Sequence, residues 1–134
     1  MFKKISYTLL IATLFLSCEV DEKFSSNCPS TIGVPTTLVT GPTETTVDVP
    51  ITLEVSYKAK GDCGDFTSFF KNPSTDPFVD IITVNTTFDA CSCKQEVATT
   101  LKENYTFKKA LPGVYTIKFK DTNQTTIDHT VTVQ

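Results

Sequence analysis

Ile51-Thr52-Leu53-Glu54-Val55-Ser56-Tyr57-Lys58 puts an apolar or aromatic residue at every odd position and a polar one at every even position. A period of two gives an extended chain one greasy face and one wet face, so the stretch reads as a half-buried β-strand. The same pattern returns downstream. Tyr105 and Phe107 alternate with polar neighbours, and Pro112-Gly113 makes a tight turn into Tyr115, Ile117 and Phe119. Ile127, His129, Val131 and Val133 form the last alternating run.

Between these lies a second kind of strand. Phe78, Ile82, Val84 and Phe88 share one parity, Asp80 interrupts it, and Val79 and Ile81 fill the opposite face, which predicts cover on both sides near the start of the strand. The stretch from Cys93 to Leu101 is the one place with a weak helical spacing, and there Val97, Thr99 and Thr100 favour strand. From Val34 onward the chain is rich in threonine, valine, isoleucine and phenylalanine, with glycine and proline as punctuation. These signals predict about seven short strands separated by turns, an all-β chain folded as an antiparallel Ig-like β-sandwich over residues 32–134.

A resemblance agrees with that expectation. The run Tyr105-Thr106-Phe107, then Leu111 to Phe119, then Thr130-Val131-Thr132-Val133, is similar to the closing strands of bacterial Ig-like domains, and Gly41-Pro42 with Val47 to Leu53 is similar to their opening strands. The likeness covers about 100 residues of a sandwich grammar used by many domains. It implies a spacer, adhesion or binding module, with no enzyme activity and no cofactor. The Cys, Trp, Cys landmark of antibody domains is absent from the sequence.

The first seventeen residues read differently. Lys3 and Lys4 precede a mostly apolar run from Ile5 to Leu16, the layout of a secretory signal and too short to span a bilayer. Phe15-Leu16-Ser17-Cys18 resembles the lipobox of bacterial lipoproteins, which implies cleavage before Cys18 and acylation of that residue, with the membrane reached through the lipid anchor. Residues 18–31 then read as the lipidated cysteine and a flexible leash. Its start, Glu19-Val20-Asp21-Glu22-Lys23, resembles the export signal of Bacteroidetes-type surface lipoproteins, and that likeness implies an outer-membrane, cell-surface location.

Charge narrows the partners. All twelve basic residues are lysine, and without Lys3 and Lys4 ten lysines face fifteen acids, a balance that argues against nucleic acid. A protein or glycan ligand fits better. Phe66, Phe69 and Phe70 are the sequence's candidates for partner contact: Phe66 and Phe70 have one strand parity and Phe69 the other, so a strand here would turn part of the set outward.

Five cysteines are an odd number, and lipidation of Cys18 leaves Cys28, Cys63, Cys91 and Cys93 to form two disulfides in an exported chain. Cys91 and Cys93 point the same way in an extended segment, so they take separate partners. Cys63 with Cys91 and Cys28 with Cys93 is the preferred pairing.

The alternative is a small thiol or metal-site protein using Cys63, Cys91 and Cys93. Paired C-x₂-C knuckles of a zinc site are missing, and only Lys94 stands beside the C-x-C to activate a thiolate. His129 is the lone histidine, which excludes a two-histidine copper site, and no nucleophile motif accompanies it. Its parity predicts a place on the core side of the last strand. Asp62, Asp65, Asp76, Asp80 and Asp89 cluster in the middle third as candidate cation ligands, without a regular D-x-D-x-D-G spacing.

Overall fold

In the computed structural model the described residues are 30–59, 64–88, 98–122 and 124–134. They form nine strands: β1 (Ser30–Val34), β2 (Thr36–Thr40), β3 (Glu44–Thr45), β4 (Ile51–Ala59), β5 (Gly64–Asn72), β6 (Val79–Phe88), β7 (Thr99–Phe107), β8 (Gly113–Lys120) and β9 (Thr126–Val133). The all-β sandwich expected from the alternation is present, and its smaller sheet has the order β2-β4-β7. The larger sheet runs β1-β6-β8-β9-β3, with β5 on the far side of β6.

Three features differ from the expectation. The described residues hold nine strands, more than expected because the two-residue β3 and the five-residue β1 leave no periodic signal. Among the described residues strand pairing begins at Ser30, inside the stretch read as leash: Ser30 and Thr31 carry no apolar period, and they pair with Phe88 and Thr87 in the ladder to β6. The ladders are also mixed, five antiparallel and two parallel among the described strands, with β3 parallel to β9 and β6 parallel to β8. A parallel pair needs a crossover, and β7 supplies it by running back through the opposite sheet.

The alternation explains the core. On β4, Leu53, Val55 and Tyr57 are buried, and on β8 Tyr115, Ile117 and Phe119 face them from the other sheet, together with Ile82 and Val84 of β6 and Val131 of β9. β6 is buried at every second residue and half-covered at the others, as its two-sided pattern predicts. Tyr115, near the start of β8, donates its hydroxyl hydrogen to the Leu111 carbonyl oxygen at 3.0 Å and so ties the 108–112 turn to that strand. Gly41 closes the turn after β2 at φ 156°, where a Cβ would stand 2.6 Å from Leu53 Cδ2 and 3.0 Å from the Thr52 carbonyl oxygen, so only glycine fits.

The strand directions give the sandwich two unlike poles. At one, Ser30 of β1 and Gly64 of β5 both pair with Phe88, on opposite sides of β6. At the other lie the stretches 41–50, 73–78 and 108–112, tied by the Asp48 N–H to Lys109 O bond at 2.8 Å and the Thr116 N–H to Phe78 O bond at 2.9 Å.

Candidate interaction surfaces

The three phenylalanines sort themselves through a bulge. The register of β5 against β6 shifts between Phe66 and Ser68, and the extra residue reverses the parity of everything after it. Phe66 and Phe69 therefore point the same way, inward, with ring centroids 4.9 Å apart, and Phe69 meets Tyr105 of β7 edge-on at 5.2 Å. Phe70 is the outward member, 52% exposed. Simple alternation gave the opposite grouping, since a bulge leaves no composition signal. The Phe69 contact with Tyr105 also shows that β5 and β7, the outer strands of the two sheets, lie on one flank of the sandwich.

Asp80 sits on the core parity of β6 and is 5% exposed. Lys71 of β5 reaches its Oδ1 at 2.8 Å, and Lys109 lies 3.0 Å from both carboxylate oxygens. Lys109 also stands over the Tyr115 ring, 4.9 Å from its centroid. A carboxylate buried this deeply needs such partners, and both of its oxygens are engaged by ammonium groups. Burial, with the Asp80 charge adding to it, pushes the Tyr105 phenol up to about 12. The arrangement is an ion-pair cluster that fastens the 108–112 turn to β6.

The acids expected to converge on a cation are spread out. Asp65 lies near the Ser30 pole, and Asp76 and Asp80 lie near the opposite one, where Asp76 Oδ1 accepts the Phe78 N–H at 2.8 Å. Asp62 and Asp89 fall outside the described residues, and among the described residues no three potential ligands gather for a metal ion. A shallow hollow of about 390 Å³ beside the β5–β6 hairpin is lined by Lys71, Ser74, Asp76 and Asp80. His129 is half-buried on the face shared with Val131, and its Nε2 lies 3.0 Å from the Pro42 carbonyl oxygen. A carbonyl can only accept, so Nε2 carries the proton and the ring ties the β2–β3 turn to β9.

Exposed large apolar residues gather at the pole away from Ser30. Val47, Val49, Phe78 and Leu111 all belong to its turns, with Leu111 68% exposed, and Val114 follows just inside β8. The sequence reading did not single these out, because isolated apolar residues in turns have no period; proline neighbours at Pro50, Pro77 and Pro112 were the available cue. Cys18, Cys28, Cys63, Cys91 and Cys93 lie outside the described residues. No helix among the described residues is long and apolar enough to cross a membrane. Comparison with known proteins returned no matching family model, no matching curated protein and no matching solved structure.

Proposed function

We propose that this chain is a lipid-anchored cell-envelope protein, acylated at Cys18, that displays a non-enzymatic Ig-like module at the outer surface for binding or structural contact with a protein or glycan. The observation that supports the reading is the polarity of the sandwich. The chain enters at Ser30, and the exposed apolar turn residues sit at the opposite pole. An anchor upstream of Ser30 therefore leaves those residues facing away from the membrane. The two disulfides proposed for Cys28, Cys63, Cys91 and Cys93 fit the same geometry, because Ser30 and Gly64, two residues and one residue from Cys28 and Cys63, both pair with Phe88, three residues before Cys91. A bridge closing the span between Cys63 and Cys91 contributes roughly 3 to 4 kcal/mol on the chain-entropy account.

Palmitate labelling of cells making the chain tests the anchor. The label is expected on the wild type and lost in Cys18→Ala, and equal labelling of both overturns the assignment. Mass analysis of the unreduced mature protein is expected to show two disulfides and no alkylatable thiol. Zinc copurifying with four alkylatable thiols would favour the metal-site alternative instead.

A further inference from the structure

We propose that the open edge of β7 pairs with the β7 edge of a second copy of this chain, antiparallel and centred on Asn104. A free strand edge presents unpaired N–H and C=O groups, and proteins blunt such edges with short strands, bulges, prolines or charges. The other outer strands here carry such devices. β1 and β2 are five residues long and β3 two, while β2 and β5 are bulged. β7 is neither short nor bulged. It runs nine residues in unbroken register with β4, from Thr99 opposite Ala59 to Phe107 opposite Ile51, without a proline. No described strand pairs with its other side. Its charges are Lys102, which reaches Glu54 of the neighbouring β4 at 2.8 Å, and Glu103, which shares the inward parity of Leu101 and Tyr105.

The charges of β7 select the occupant and its register. A two-fold axis normal to the sheet keeps the inner and outer faces of both copies aligned, so it must pass beside one residue and set that residue opposite itself. Centred on Lys102, two lysines oppose each other; centred on Glu103, two glutamates do; centred on Tyr105, Lys102 opposes Lys108 of the partner subunit. Like charges directly opposite are unfavourable. Centred on Asn104, none are opposed. Lys102 then faces Thr106 of the partner subunit, Glu103 faces the partner's Tyr105, and half-buried Leu101 lies opposite the partner's Phe107. Within β7 the rungs run from Leu101 to Phe107, and centres farther along the strand leave fewer. Because the pattern fits its own reverse so selectively, the partner it describes is the same chain.

The full chain purified in detergent provides the test, read by molecular mass and by amide hydrogen exchange over a concentration series. The expected result is a doubling of mass accompanied by slowed exchange at alternate β7 amides. Asn104→Lys places two ammonium groups face to face at the axis and should weaken the pairing about fivefold or more. Thr106→Glu sets a carboxylate opposite Lys102 of the partner subunit on both sides of the axis and should tighten it about fivefold. Both positions are exposed, and Thr52→Lys, exposed on the middle strand, is the neutral control. A mass that stays at one chain throughout, a doubling without β7 protection, or equal affinities for Asn104→Lys and Thr106→Glu would each overturn the proposal.

Discussion

Tyr105 joins the aromatic cluster to the ion-pair cluster. Its ring meets Phe69 at 5.2 Å and Phe119 at 5.3 Å, and the fold holds its phenol neutral well above the ordinary value of 10.0, up to about 12. Because the folded-state pKa is raised, the stability this residue contributes is complete below pH 10 and is lost as pH climbs through 12. Chemical denaturation from pH 8 to 12 should therefore show level stability and then a decline that Tyr105→Phe makes shallower. A variant whose decline matches the wild type would remove Tyr105 from the alkaline transition. At this scale the sequence was readable where alternation ran unbroken, as at Leu53, Val55 and Tyr57. It misled at Phe66, Phe69 and Phe70, because the β5 bulge reverses parity without any residue type announcing it.

Among the elements, β6 shows how a misplaced charge is accommodated. Its two-sided apolar pattern predicted cover on both faces near its start, and the strand is buried on one face and half-covered on the other, between β5 on one side and β1 and β8 on the other. The sequence marked Asp80 as an interruption and could not name its partners, since Lys71 and Lys109 come from β5 and from a turn in a distant part of the chain. The two lysines differ in kind. Lys71 is 57% exposed and its loss should cost under about 1 kcal/mol, as for other solvated pairs. Asp80→Asn strips the charge from a site where Lys109 remains only 18% exposed, and should cost about 3 kcal/mol. Replacing both ends with apolar groups, Asp80→Leu with Lys109→Met, should come back close to the wild type, because no buried charge is left behind. Urea unfolding of the four proteins decides it; a double variant as unstable as Asp80→Asn would mean that the cluster sets the turn geometry and not only its charge balance.

For the whole molecule, patterning gives faces but not neighbours, which is why two sheets were legible and the parallel β6–β8 ladder was not. With the chain anchored at Cys18 as proposed, the neighbours matter for how two copies meet. The two-fold axis proposed at Asn104 reverses β7, so paired copies carry Ser30 at opposite ends. Twelve residues from Cys18 to Pro29 reach at most about 40 Å, and strands of nine or ten residues make the sandwich about 30 Å long. Two copies on one membrane would have to stretch one leash along nearly the whole sandwich, at a large cost in chain entropy. Copies on facing membranes keep both leashes slack. Vesicles bearing the acylated chain should therefore aggregate, measured as a rise in light scattering, with Asn104→Lys suppressing the rise and Thr106→Glu speeding it. If pairing is intact in detergent but wild-type and Asn104→Lys vesicles scatter alike, the leash does not stay slack between facing surfaces, and β7 pairs copies side by side on one membrane at the expense of an extended tether.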